Sequence, residues 1–269
     1  MSTRRRWSLR LLSIVVVLSV WEVYGRSIPE IFVSRPSLVG AAFGEVLGAP
    51  AFWRDLAQTL TGLSIGYSLA VVVGAVVGFL MGRYPTFALL VDPYVTFLYA
   101  TPRIALIPLL IIMLGIDLQL RVAIVFLSSV FPVIINTQNG VRGVDSDLVE
   151  TAVAFNASER QILRTVIFPA TLPFLLSGIQ IALGQAIIGV IVVEMTVAIS
   201  GIGGEIVTYG NAFMTAQMLV PIFVTSGLSL AAIATLRGVE RALMPYRFLA
   251  QRRRSGWPWR RAGQGLHAA

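Results

Sequence analysis

The sequence predicts an all-α, polytopic membrane protein with about six transmembrane helices in one domain covering residues 1–269. Hydrophobic residues make up 56% of the chain and charged residues only 13%, far from the balance of a soluble domain. Long uncharged runs recur along the chain, and most reach the roughly 20 residues that a spanning helix needs. These runs cover residues 11–21, 56–82, 104–116, 122–141, 165–193 and 206–236.

The first run is predicted to be a retained span at about residues 9–25. Arg4, Arg5 and Arg6 precede it, as basic residues precede the apolar part of an export signal. The run ends at Trp21 and Glu22 without a small-x-small cleavage site. We therefore favour an uncleaved helix.

Residues 26–55 are predicted to form an external segment of mixed polarity that lies against the bundle. A short amphipathic helix fits residues 37–47, with Ser34 or Ser37 as its N-cap. The segment also contains three turn-forming prolines, Pro29, Pro36 and Pro50.

The second span carries small residues four apart, which form a ridge along one face of a helix. In lipid, such ridges allow two helix backbones to approach closely. The sequence therefore predicts tight packing of this helix against a neighbour. The ridge consists of Gly62, Gly66, Ala70, Gly74, Gly78 and Gly82.

The third span is interrupted by Pro102 and Pro108, and Arg103 lies close to the membrane. Broken helices are tolerated where neighbours or a water-filled cavity satisfy the freed carbonyl groups, so Arg103 is a candidate residue of a gate or path. The alternative is a kinked helix whose Arg103 extends to the cytoplasmic surface.

The arginines predict the orientation, because positive residues beside spans remain on the cytoplasmic side. With six crossings and a cytoplasmic amino terminus, 16 of the 21 arginines fall inside and four outside, leaving Arg103 to place. The loop of residues 142–170 and the basic tail of residues 246–269 are then both cytoplasmic. The net charge of +8 is explained by this orientation and by contact with anionic lipid headgroups, so no nucleic-acid partner is expected.

Missing residue types exclude many activities. The chain has no Lys and no Cys, and its only His is His267 in the basic tail. A P-loop needs Lys, covalent thiol catalysis needs Cys, and a metal centre usually needs His or Cys ligands. We therefore expect no enzyme activity, no metal and no cofactor in this chain.

The polar stretch at residues 145–173 interrupts two long apolar runs and predicts two short helices. Asp147 with Glu150, and Ser158 with Gln161, have the form of capping boxes. Asn156 lies between them and tolerates the left-handed conformation that ends a helix. The stretch should therefore form a compact reversal whose small residues let another protein approach.

The residues Glu150-Thr151-Ala152, followed by Asn156-Ala157 and later by Pro169, resemble the EAA loop of permease subunits in binding-protein-dependent ABC importers. That motif is written E-A-A-x-x-x-G and is followed by I-x-L-P. Thr151 replaces the first Ala and Asn156 replaces the Gly, but both substitutes meet the same steric and backbone demands.

The resemblance extends over residues 36–246 and is closest to the nitrate/sulfonate/taurine branch of these permeases. It implies a bacterial inner-membrane importer subunit, with both termini cytoplasmic, that forms the path for a small solute. The implied partners are an ABC ATPase dimer, an extracytoplasmic solute-binding protein and a second permease copy, most simply as a homodimer. By resemblance, the ATPase-coupling residues are Glu150, Ala152, Asn156, Ala157, Ser158 and Arg160.

Glu194, near the outer end of the fifth span, is a second candidate for the gate or path. A carboxylate inside a span costs about 2.5–3.5 kcal/mol on insertion scales and usually faces a cavity or a partner. A gating or helix-pairing role fits better than substrate contact, because a bare carboxylate would repel an anionic solute. Gly201, Gly203 and Gly204 permit a tight turn that would serve as a gate or as a simple loop.

Two other classes of function are possible from the residues alone. A self-contained secondary transporter driven by an ion gradient needs ionisable residues at mid-membrane, and only Glu194 qualifies. A membrane enzyme or scaffold is disfavoured by the missing nucleophiles and metal ligands.

Overall fold

A computed structural model describes residues 3–197 and 200–243, and these residues form helices without any strand. A 3₁₀ turn, Arg103–Leu106, and a π-helical segment, Leu163–Ile167, lie between α-helices. The helices are α1 Thr3–Arg26, α2 Pro36–Gly48, α3 Pro50–Arg83, α4 Pro85–Ala100, α5 Ile107–Leu114, α6 Leu118–Arg142, α7 Ser146–Ala154, α8 Glu159–Ile162, α9 Phe168–Val197, α10 Gly201–Asn211 and α11 Thr215–Leu243.

Five of the described helices are long and apolar enough to cross a membrane, and there are six crossings if a bent pair of helices forms one broken span. The bent pair is α4 with the 3₁₀ turn and α5, whose axes differ by 89°. The predicted number of spans is thus confirmed. The third span was predicted too short, because it also includes α4, which carries the charged residue Asp92.

The last uncharged run was also placed incorrectly. Residues 206–236 do not form one helix, since α10 ends at Asn211 and the spanning helix α11 begins at Thr215. The chain turns between them at Phe213, whose φ is 57°. Hydropathy alone cannot separate a short apolar helix from the span that follows it.

The small-residue ridge of α3 packs against α6, as predicted. A Cβ atom added at Gly66 would lie 2.7 Å from both the carbonyl oxygen of Val122 and the Cβ of Val125. At Gly74 the added atom would lie 2.7 Å from the Cβ of Val133. Because real Cβ atoms essentially never approach so closely, this contact requires glycine. The other face of α6 packs on α9, so α6 is the central helix of the bundle.

The amino-terminal helix α1 contacts the bundle at its carboxyl end and is otherwise exposed, as expected for a lipid-facing span. The Trp21 indole donates to the carbonyl oxygen of Ser34 at 2.8 Å, and the Glu22 carboxylate accepts from the Ser37 amide at 3.1 Å. The helix predicted at residues 37–47 is confirmed as α2. Its N-cap is Arg35 without any side-chain hydrogen bond, so the predicted Ser caps are wrong. The basic tail, residues 246–269, lies outside the described residues.

Candidate functional site

The polar stretch folds into two short helices, α7 and α8, which with their flanks form the segment of residues 145–167, here called the α7–α8 loop. Helix α7 is capped by Asp145, whose carboxylate accepts from the Asp147 amide at 3.0 Å. The predicted Asp147/Glu150 capping box is therefore wrong by two residues. The Ser158/Gln161 box is confirmed, because the Ser158 amide donates to the Gln161 side chain at 2.7 Å and the Gln161 amide to the Ser158 hydroxyl at 3.4 Å.

Asn156 reverses the chain between these helices with a φ of 53°, as predicted. The Asn156 amide donates to the Val153 carbonyl at 2.8 Å, and the Ala157 amide donates to the Ala152 carbonyl at 3.0 Å. This pair of bonds is a Schellman motif, which satisfies carbonyl groups at the end of α7. Asn fits this position because its backbone tolerates the left-handed conformation better than other non-glycine residues.

The base of the α7–α8 loop is anchored to the spanning bundle. Ile162 and Ile167 are buried with Val141 at the end of α6, and Ala152 and Ala157 pack partly against the same cluster. An ion pair between Arg83 and Glu159 joins α3 to α8. The base of the loop is therefore in contact with the ends of α3 and α6 and continues directly into α9.

The outer surface of the loop exposes apolar side chains together with charged side chains that form no ion pair with any described residue. Phe155 is 82% exposed, and Leu148, seven residues earlier, is 54% exposed. Residues seven apart lie on the same face of a helix. The Glu150 and Arg160 side chains are exposed, and Glu150 makes no ion pair with any described residue. Clustered apolar exposure of this kind marks surfaces that bind another protein.

At the other end of the bundle, the Glu194 carboxylate is buried among four helices, and Glu194 is only 2% exposed. Its Oε1 atom lies 3.1 Å from the Nε of Arg121 in an ion pair, and the carboxylate accepts hydrogen bonds from the Thr59 hydroxyl at 2.9 Å and from the Gly203 amide at 3.0 Å. Arg121 also contacts Ser200. Glu194 therefore pairs α9 with α3, α6 and α10, as the helix-pairing prediction required.

The first turn of α10 is bound to the same group of side chains. The Ile202 amide donates to the Thr59 hydroxyl at 3.0 Å, and the Gly201 amide donates to the Asp55 carboxylate at 3.1 Å. Gly201 has a φ of 84° and lies against the Glu194 carboxyl group, which leaves no room for a Cβ. The predicted tight turn at Gly201–Gly204 is wrong, because α10 begins at Gly201.

Another carboxyl group of α10, that of Glu205, lies close to this network. Burial raises the pKa of Glu205 above its ordinary value of 4.5, and the negative charge of Asp55 raises it further. The Oε2 atom of Glu205 is buried and accepts no hydrogen bond from any described residue.

Arg103 lies apart from these residues, at the elbow between α4 and α5. It lines a cavity of about 340 Å³, here called the elbow cavity, between the elbow, α6 and α9. An apolar cluster separates this cavity from the Arg121–Glu194 pair. Its members Ile107 and Ile124 also line the elbow cavity, whereas Leu120 and Val193 lie beside the ion pair.

The structure therefore brings Glu194, Gly201 and Gly203 together, but places Arg103 in a different site. The sequence did not predict that Arg121 pairs with Glu194, because the position of Arg121 was interpreted only as evidence for the orientation of the spans. The requirement that a buried carboxylate has a partner was the only available clue.

The described residues thus form an all-helical, multi-pass membrane bundle with a loop that is anchored at its base and exposed at its tip. The chain belongs to the family described as binding-protein-dependent transport system inner membrane components, which matches residues 70–245. It is 29% identical to the putative aliphatic sulfonates transport permease protein SsuC of Bacillus subtilis, over 91% of this chain and 89% of that protein. It is 28% identical to the taurine transport system permease protein TauC of Escherichia coli, over 90% of each chain.

A solved structure supports the fold. The crystal structure of an amino acid ABC transporter with histidines matches with a TM-score of 0.55 at 17% identity, covering 73% of this chain and 94% of that chain. The protein is thus a multi-pass inner-membrane permease subunit of an ABC importer and is not itself an enzyme. Family membership implies an ATPase and a binding protein as partners, and the secondary-transporter alternative is not favoured.

Proposed function

We propose that the α7–α8 loop is the docking element for the ATPase and transmits its movement to the transmembrane path. The observation that carries this proposal is the exposure of Phe155, at 82%, on a loop whose base is buried. An apolar tip stabilises a complex when a partner covers it, and an anchored base transmits force. The proposed ATPase-coupling residues are Glu150, Ala152, Asn156, Ala157, Ser158 and Arg160.

These residues have different parts in the proposed contact. Glu150 and Arg160 are exposed and supply charges for a partner surface. Asn156 and Ser158 give the loop its shape through the Schellman motif and the capping box. Ala152 and Ala157 are half-buried between loop and bundle, where a larger side chain would lift the loop from its base.

The proposal places this loop and both termini in the cytoplasm and α10 on the outer side. The excess of arginines on the loop side supports this orientation. We also propose that two copies of this chain form the path, because symmetric pairs of identical subunits are the commonest oligomeric arrangement.

Glu194, Gly201 and Gly203 are proposed to hold an outer gate formed by α10. Their contacts join α10 to three other helices, so α10 moves away from the path only when the buried ion pair rearranges. Because Arg121 neutralises Glu194, the carboxylate does not oppose the passage of an anion.

The proposed cargo is a small sulfonate or a related compound such as taurine or nitrate. Its support is the similarity to permeases named for aliphatic sulfonates and taurine, over about nine-tenths of the chain. The soluble binding protein would supply most of the selectivity.

The docking proposal is tested by measuring the affinity of the purified permease for its ATPase. Phe155→Ala should weaken binding by about 10- to 150-fold, because burying a Phe side chain contributes about 1.5–3 kcal/mol. Phe32→Ala is the matched control, since Phe32 is 68% exposed but lies outside the loop. Glu150→Lys should abolish uptake while the protein remains in the membrane. Unchanged ATPase affinity in Phe155→Ala, or normal uptake by Glu150→Lys, would contradict the proposal.

A further inference from the structure

We propose that the elbow cavity is a binding subsite for a small oxyanion, with the Arg103 guanidinium as its principal ligand. The inference deepens the proposed transport function and rests on it. It concerns a different site from the Glu194 network, because the apolar cluster around Ile124 lies between the two.

Arg103 is held in place but not neutralised. Its Nη1 atom donates to the Ser128 carbonyl at 3.0 Å, and its guanidinium carbon lies 5.6 Å from the centre of the Tyr99 ring. These contacts fix the direction of the guanidinium while leaving other N–H donors available. No carboxylate among the described residues pairs with Arg103.

The rest of the cavity suits an oxyanion with a short apolar group. Ser128 contributes a hydroxyl and Gln185 an amide, and neither side-chain group forms a hydrogen bond with a described residue. Ile188 and Val192 supply apolar surface. The described lining contains Arg103 as its one charged residue and no Asp or Glu, so the local potential favours an anion.

Arg121 shows what a structural arginine looks like in the same bundle. It is buried, and Glu194 balances its charge. Arg103 lies at the wall of an open cavity at the break of a span, where an unbalanced ionisable residue is expected to serve a ligand. The same chemistry would also attract a phospholipid headgroup, so the test must separate a solute from lipid.

The test uses the wild-type permease–ATPase complex in nanodiscs of phosphatidylcholine, labelled with phenylglyoxal and analysed by peptide mass spectrometry. Ethanesulfonate, nitrate and acetate are the probes, and ethylammonium is the cationic control. At least one oxyanion should slow modification of Arg103 about tenfold or more, whereas ethylammonium should not. Arg54, an exposed arginine outside the cavity, should react equally with and without probe.

A variant pair tests the lining. Gln185→Ala should raise the probe concentration for half protection by about 2- to 12-fold, as expected for one lost hydrogen bond. Gln180→Ala should leave it unchanged, because the Gln180 amide bonds to Glu240 and does not line the cavity.

Absence of protection by all three oxyanions would overturn the inference. If Arg103 is protected only when phosphatidylglycerol is added, without any solute, then its ligand is a lipid headgroup. That result would also overturn the inference. Co-purification of the ATPase with the wild-type chain is measured in the same samples. If the ATPase co-purifies but Arg103 is not protected, the subsite fails while the proposed function stands.

Discussion

Replacing Glu194 by Gln should destabilise the bundle strongly although the two side chains have nearly the same shape. Both carboxylate oxygens are engaged, since Oε1 pairs with Arg121, Oε2 accepts from the Gly203 amide, and the Thr59 hydroxyl lies 2.9 Å from each and donates its one proton to either. A Gln side chain has one oxygen, so its NH₂ group must face Arg121 or the Gly203 amide, and both are donors.

The magnitude follows from burial. The side chains of Arg121 and Glu194 are 10% and 1% exposed. Removing one partner of such a pair leaves a buried, uncompensated charge, which costs about 3–5 kcal/mol. An exposed pair gives the matched control, because Glu30 and Arg35 lie 3.2 Å apart with Glu30 60% exposed. Glu30→Gln should cost about 1 kcal/mol or less.

The assay is reversible unfolding in mixed micelles, run as a double-mutant cycle with Arg121→Gln. The double variant should be more stable than the sum of the single effects implies, with a coupling of about 0.5–3 kcal/mol. Additivity of the two substitutions to within about 0.5 kcal/mol, or equal costs for Glu194→Gln and Glu30→Gln, would refute this account of the ion pair.

Three further predictions concern other parts of the molecule. Gly66→Ala should destabilise the α3–α6 contact by about 1–3 kcal/mol in thermal unfolding, because the added Cβ overlaps α6. Asn156→Val should cost about 1–2 kcal/mol and reduce ATPase coupling, whereas Asn156→Gly should retain both, because the φ of 53° penalises a β-branched residue. Because the pKa of Glu205 is higher in the folded chain than in the unfolded chain, the folded chain keeps this proton at a pH where the unfolded chain has lost it. The free energy of unfolding should therefore fall as the pH rises above 4.5 toward the raised pKa. Glu205→Gln should remove that decline.

A specific result would contradict each of these three predictions. Gly184→Ala is the control for Gly66→Ala, since nothing lies within 4 Å of a Cβ added at Gly184. Equal losses of stability in these two variants would contradict the packing argument. Coupling in Asn156→Val that matches Asn156→Gly would show that the left-handed residue is unimportant. Parallel pH–stability curves for wild type and Glu205→Gln would show that Glu205 does not titrate differently in the folded chain.

The features predicted correctly from sequence are those encoded locally. The ridge from Gly62 to Gly82 is visible because residues four apart share a helix face, and the reversal at Asn156 is visible because its signals lie within a few residues. The Ser158/Gln161 capping box is local in the same way.

The features that the sequence did not predict depend on residues far apart in the chain, or on neighbouring segments that have the same apolar composition. Arg121 and Glu194 pair across two helices, and neither residue's neighbours in sequence identify the other. Helix α10 has the same apolar composition as the span after it, so the run of residues 206–236 concealed the break at Phe213. The elbow cavity depends on an 89° bend that two prolines permit but do not specify.

Three helices, α3, α6 and α9, run from the base of the α7–α8 loop to the Glu194 network, and α9 is the one that follows the loop directly in the chain. Helix α9 begins directly after the α7–α8 loop, and its 30 residues extend about 45 Å to the turn that carries Glu194. A helix of this kind tilts as a unit unless part of its length yields. A bend is least costly at the π-helical segment Leu163–Ile167, whose hydrogen bonds already depart from the α pattern, and at Pro173, which has no amide donor. Under the proposed function, displacement of the loop would therefore tilt α9, and because Glu194 is bound to Arg121 and to the first turn of α10, that tilt would strain the contacts that hold α10.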